Sequence, residues 1–177
     1  MYIDLDLHYG DGVAEAFLGS SSQSPSVLTL SIHHSSPGFF PASPNSELTP
    51  LDTARPFALS IPLHQGASNC TFSRIWKNCV ESVKDAFSPD IVILQCGVDG
   101  LAGDPYAIWN WGIDVEDEGS MGWCINRCLS WGPKVLLLGG GQYLPFHVYF
   151  PVFFYSHEMR SFQGATTPQM LLVHGLT

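Results

Sequence analysis

Basic residues are scarce in this chain: seven Lys and Arg stand against sixteen Asp and Glu, a formal charge of −9 over 177 residues. A chain this acidic lacks the electrostatic footprint that phosphate backbones and anionic lipids demand, which argues against direct nucleic-acid or membrane binding. Basic partners or substrates remain the electrostatically suited class, with solubility alone an equally good reading of the charge. Charged residues of both signs make up only 13% and hydrophobic ones 45%, a balance that excludes intrinsic disorder and predicts one packed domain. No C-x-x-C pair occurs among the five cysteines (Cys70, Cys79, Cys96, Cys124, Cys128). That odd, scattered set excludes a zinc ribbon and a disulfide framework and fits a reducing compartment. The first residues, Met-Tyr-Ile-Asp-Leu-Asp, put acids where a secretory signal needs a basic segment and an apolar run. The late apolar run from Leu144 to Tyr155 is broken by Pro145 and Pro151 and falls short of the ~20 residues of a membrane helix.

Hydrophobic patterning predicts the elements. Tyr2 to His8 alternates with period two, which reads as a strand followed by a Gly10-Asp11-Gly12 turn, and Val13 to Leu18 opens a helix. Val27 to Ile32 is a second strand and Phe57 to Pro62 a weaker one, separated by a loop dense in Ser and Pro. Phe72, Ile75, Trp76, Val80, Val83 and Phe87 have the three-and-four spacing of an amphipathic helix that Ser88-Pro89 ends. Ile91 to Leu94, apolar on both faces, suits a buried parallel strand. Met121 to Trp131 is another helix, and Val135 to Leu138 a strand that runs into three glycines. Helix followed by buried strand, twice, predicts an α/β fold with a mainly parallel sheet and helices on both faces. The acidic run Asp114 to Glu118 reads as a solvated loop. Residues 144–177 lose periodicity and form an unassigned tail.

Open α/β sheets bind ligands beyond the carboxyl ends of their strands. At the first such end, a period of two puts Asp4, Asp6 and His8 on one face, about 6 to 7 Å between alternate positions. Three ionisable groups on a buried strand need a partner or a metal. The strand from Ile91 delivers Asp99 directly after Gly97-Val98. Two carboxylates and one imidazole with an open fourth position form a catalytic rather than structural zinc arrangement, so Asp6, His8 and Asp99 are the candidate ligands. A turn role for Asp99 is the competing reading. The third end, Gly139-Gly140-Gly141-Gln142-Tyr143, lacks phosphate-loop spacing. Taken alone, Tyr143 is an ordinary half-buried aromatic.

Four ordered motifs carry a resemblance: Tyr2-Ile3-Asp4-Leu5-Asp6-Leu7-His8-Tyr9-Gly10-Asp11-Gly12, Ser36-Pro37-Gly38-Phe39-Phe40-Pro41, Leu94-Gln95-Cys96-Gly97-Val98-Asp99 and Gly139-Gly140-Gly141-Gln142-Tyr143. Together they resemble the class I, zinc-dependent histone deacetylases of the arginase-deacetylase fold. The match runs over residues 1–143 as a partial domain, with 144–177 divergent. The resemblance implies zinc on Asp6, His8 and Asp99, a Tyr143 hydroxyl on the substrate carbonyl, and Phe40 and Tyr106 lining an acyl-lysine channel. It further implies that Asp4 and Asp11 orient a histidine acid–base pair, and that potassium sits among Asp4, Asp6, His8, Ser31 and Ile32. Acetylated histone tails, corepressor-complex subunits and a nuclear location, with the cytoplasm as a second compartment, follow from the same resemblance.

Departures are equally specific. Tyr9 stands where the family usually has a second His and Gln142 where a fourth Gly is usual. The family's histidine pair lies upstream of the Asp-Leu-Asp-Leu-His segment, and His33-His34 follows the second strand instead. The expectation is therefore a member without its N-terminal half-site. The first reading is a zinc-dependent histone deacetylase; the alternatives are a catalytically impaired corepressor-complex module and a related amidohydrolase of small acetylated amines.

Overall fold

A computed structural model describes residues 1–18, 27–47 and 57–140, with the backbone of Phe154–Tyr155. It bears out the α/β expectation. The strands are β1 (Tyr2–Asp4), β2 (Thr29–His34), β3 (Ala58–Leu63), β4 (Ile91–Gly97), β5 (Lys134–Gly140) and the short β6 (Phe154–Tyr155). They form one sheet in the order β3-β2-β1-β4-β5-β6, parallel throughout except for β6, which runs antiparallel to β5. The helices are α1 (Asp11–Leu18), α2 (Asn69–Ile75), α3 (Glu81–Phe87) and α4 (Met121–Leu129). A π-helical segment, Trp76–Val80, joins α2 to α3, so the helix read from Phe72 to Phe87 is continuous in space.

Local chemistry sets these boundaries. Ser120 opens α4 by accepting the Trp123 N–H (3.0 Å), satisfying a donor that the first turn leaves without a partner. Ser88 takes a left-handed conformation, φ 51°, and closes α3 before Pro89, which cannot continue a helix. No helix among the described residues is long and apolar enough to cross a membrane.

One face of the sheet holds the main core. Ile3, Leu30, Ile32, Val92 and Leu94 are buried against Phe72, Trp76 and Val80 of the long helix and Met121, Cys124 and Cys128 of α4. On the opposite face α1 packs over β2 and β3. The strand at Ile91 was expected to be buried on both faces; here Val92 and Leu94 are fully buried while Ile91 is exposed and Ile93 half-buried. Among the described residues α1 packs on β2 and β3, and Ile91 and Ile93 instead line a cavity that Val13 and Phe17 of α1 share.

The first strand is also shorter than its alternation predicts. β1 stops at Asp4, because the Asp6 N–H turns back onto Asp4 Oδ1 (3.0 Å) and the His8 N–H onto Asp6 Oδ1 (2.8 Å). Such side-chain bonds two residues back compete with the ladder and bend the chain. Asp4, Asp6 and His8 therefore do not share a flat strand face. Leu5 and Leu7 nonetheless remain fully buried, and Leu5 keeps one ladder bond to Gln95 O (3.0 Å).

The segment after β4 is pinned to the helices. Phe72 stacks on Trp111 at 3.8 Å and meets Trp109 edge-on at 5.4 Å. Asn69 Oδ1 accepts the Gly112 N–H (2.7 Å), and Trp111 Nε1 donates to Gly119 O (2.8 Å). Glu118 of the expected solvated loop bonds Ser73 and pairs with Lys77. Trp76, fully buried beside Trp131, is with Trp111 one of the two largest fully buried side chains of this layer. Trp76→Ala is expected to lower unfolding free energy by about 3 to 5 kcal/mol, measured by urea denaturation with far-ultraviolet circular dichroism.

Candidate metal centre

The bends after β1 and the end of β4 bring three ligand-type side chains together. One atom from each of Asp6, His8 and Asp99 lies within 4.8 Å of the other two. His8 Nδ1 stands 3.1 Å from Asp6 Oδ1 and 2.9 Å from Asp99 Oδ2. Asp99 is buried, while Asp6 and His8 are partly open to solvent. The turn reading of Asp99 gives way to a tertiary one: its Oδ1 accepts the N–H of Leu7, 92 positions earlier in sequence (3.0 Å). Its Oδ2 is buried and, despite the proximity of His8, accepts no hydrogen bond of adequate geometry.

That pattern fits a cation. A buried carboxylate oxygen without a donor is strongly disfavoured, and an imidazole edge facing two carboxylates repels them unless a proton or a metal lies between. Without metal the proton takes that place. The Asp6 carboxylate, then that of Asp99, pushes the His8 imidazole up to about 9. Burial raises Asp99 above the usual carboxylate range, and burial with the nearby Asp6 charge raises Asp4 to about 7. Two carboxylates and an imidazole with one side open to solvent form a donor set that zinc-type ions accept.

Close approach of backbone builds the centre. A Cβ at Gly97 would collide with the Asp6 carboxylate and lie 2.8 Å from the Asp6 Cα. A Cβ at Gly10 would collide with Asp4. Glycine at these two positions is what lets the acids pack against the strand ends.

The remaining candidate residues fall around this centre. Asp4 accepts the Tyr2 hydroxyl at Oδ2 (3.1 Å) as well as the Asp6 N–H. Asp11 begins α1 with its carboxylate on the Gly12 N–H (2.7 Å), apart from the three ligands. Ser31 lies opposite Asp4 in the β1–β2 register, and its Oγ accepts the Gly10 N–H (3.3 Å). The Ile32 side chain is fully buried in the core. Phe40 is 68% exposed with its ring 6.2 Å from that of His8, and Tyr106 is 61% exposed on the segment after Asp99. Tyr143 and its Gln142 neighbour lie outside the described residues, as does most of the tail. One contributor escaped the sequence reading: Gly97 had a signal, a glycine just before the acid at a strand end. Phe39, whose ring stacks on that of His8, stood within a quoted motif but had no assigned role.

Residues 1–148 match the family model described as histone deacetylase domain. The chain belongs to this family, as the motif resemblance implied. Over 143 residues it is 37% identical to histone deacetylase 8 of Xenopus laevis, covering 81% of this chain and 41% of that protein. Over the same length it is 36% identical to histone deacetylase 8 of Danio rerio and 32% to histone deacetylase RPD3 of Saccharomyces cerevisiae, covering 35% and 31% of those proteins. The chain thus spans about two fifths or less of the length of these curated relatives.

Two outcomes follow from the geometry. Gly97→Ala is expected to displace Asp6 and weaken divalent-metal binding at least about tenfold, measured by equilibrium dialysis, while the circular dichroism spectrum keeps its α/β form. A cation must also displace the proton that His8 holds up to about pH 9. Affinity should therefore rise with pH below that value, by about tenfold per unit for one proton exchanged. Titration calorimetry in buffers of different ionisation enthalpy counts that proton.

Proposed function

We propose that this chain carries the metal-holding part of a zinc-dependent protein-lysine deacetylase that hydrolyses acetyl-lysine in histone tails to lysine and acetate. The observation that supports it is the convergence of Asp6, His8 and Asp99 within 4.8 Å at the strand ends of a histone deacetylase domain. An imidazole among the ligands favours zinc over calcium or magnesium, which take oxygen donors. When bound, zinc supplies Lewis-acid polarisation of the acetamide carbonyl and lowers the pKa of water.

The chain's own residues do the rest. Asp6, His8 and Asp99 hold the ion, and the Leu7 and His8 N–H groups fix the two carboxylates. Phe40 and Tyr106 offer exposed aromatic walls to the aliphatic stem of the acyl-lysine. Tyr143 donates its hydroxyl to the carbonyl oxygen as charge develops there. The resemblance gives Asp4 and Asp11 the orientation of an imidazole acid–base pair that the family carries upstream of the Asp4–His8 segment, a pair whose contribution to rate is typically ~10² to 10⁴. Potassium is assigned to the neighbourhood of Asp4, Asp6, His8, Ser31 and Ile32, where it offsets the acidic cluster. The formal charge of −9 suits basic histone tails. Corepressor-complex subunits are the proposed partners, transcriptional repression the role, and the nucleus, with the cytoplasm as a second compartment, the location.

The test is acetate release from an acetyl-lysine histone peptide by the purified, zinc-loaded chain, with Asp99→Ala as blank and metal content measured for both. The expected result is zinc bound by the parent chain, lost in Asp99→Ala, and acetate release above the blank. Equal metal content in both would remove the ligand assignment. Bound zinc without acetate release would remove the deacetylase assignment from this polypeptide.

A further inference from the structure

The metal-centre reading requires that the His8 imidazole present its Nδ1 edge to the two carboxylates, and the ring is partly open to solvent. Its backbone sits in a bend held by the His8 N–H on Asp6 Oδ1 (2.8 Å). Hydrogen bonds from Leu7 and His8 fix the acids, and His8 Nδ1 meets Asp6 Oδ1 at 3.1 Å. Phe39 covers the face of the imidazole: its ring stacks on that of His8 with centroids 5.1 Å apart and planes 12° from parallel. Stacking selects the plane, and the carboxylates select which edge of the ring faces them.

Phe39 is itself braced. It packs against the core, and the ring of His34 meets it edge-on at 4.6 Å and 82°. His34 is tethered at both nitrogens, Nδ1 to Leu63 O (3.0 Å) and Nε2 to Ser36 Oγ (3.0 Å). The Phe39 N–H bonds Ser36 O (3.0 Å). A run of contacts thus leads from the ends of β2 and β3 through His34 and Phe39 to His8. The adjacent phenylalanines divide the work: Phe40 faces outward, 68% exposed, and Phe39 faces inward.

We propose that Phe39 is a positioning residue for the metal centre, holding the His8 imidazole in the plane from which Nδ1 meets a cation shared with Asp6 and Asp99. This rests on the metal-centre reading above. Groups that orient a metal-binding histidine from outside the ligand set are typically worth about 10 to 100-fold in affinity.

The experiment titrates Co²⁺ into the full chain and into Phe39→Leu, Phe39→Met, Phe39→Tyr and Asp99→Ala, recording affinity, the visible absorption of the bound ion and the urea midpoint of the metal-free protein. The expected result is about tenfold weaker binding and an altered absorption band in the Leu and Met variants, parent-like behaviour in Phe39→Tyr, and similar midpoints for all three. Parent-like affinity and spectrum in Phe39→Leu or Phe39→Met would overturn the proposal. So would unfolding of both, or equal loss in Phe39→Tyr with a lowered midpoint, each of which marks a merely structural role. Failure of the parent chain to bind Co²⁺, or parent-like binding by Asp99→Ala, would overturn the metal-centre reading itself and this inference with it.

Discussion

Three acids at the ends of two adjacent parallel strands repel one another, and the local structure is organised by how that repulsion is contained. Asp4, Asp6 and Asp99 each capture a backbone N–H, from Asp6, His8 and Leu7 in turn. These charge-assisted bonds are stronger than neutral ones. The same bonds stop β1 at Asp4 and fold the following residues across the end of β4. The acids therefore create the bend that places them, and the imidazole of His8 arrives between two of them as a consequence.

Such an arrangement needs a stiff support. Leu5 and Leu7, fully buried on either side of Asp6, anchor the bend from below. Trp109 and Trp111, sandwiched against Phe72, fix the segment that leaves Asp99. Closely packed interiors transmit displacement instead of absorbing it. The aromatic layer under the helices and the polar centre above the strand ends are thus mechanically one unit, although they share no residue.

Much of this was legible in the sequence. The alternating helix and strand segments identified the parallel sheet, and the residue types at two strand ends picked out Asp6, His8 and Asp99. The details lost were those set by interactions between distant segments or by side chains competing with backbone. Periodicity extended β1 to His8 because Leu5 and Leu7 do alternate with polar residues; nothing in a period of two registers that each aspartate will take a backbone donor. Ile91 to Leu94 looked buried on both faces because composition does not say which face of a strand another element covers. Phe39 looked like part of a loop motif because stacking depends on where two bends meet. Tyr143, assigned on resemblance, lies outside the described residues.

The strand order carries a consequence for biosynthesis. β1 lies in the middle of the sheet, and one of its neighbours, β4, is made some 90 residues later. During translation β1, β2 and β3 can assemble, but one edge of β1 stays open until β4 leaves the ribosome. Synthesis at about 5 to 20 residues per second makes that wait several seconds. An open parallel edge flanked by the apolar side chains of Ile3 and Leu5 is a template for unwanted pairing, so the register of the sheet stays exposed to error until its second half closes over it.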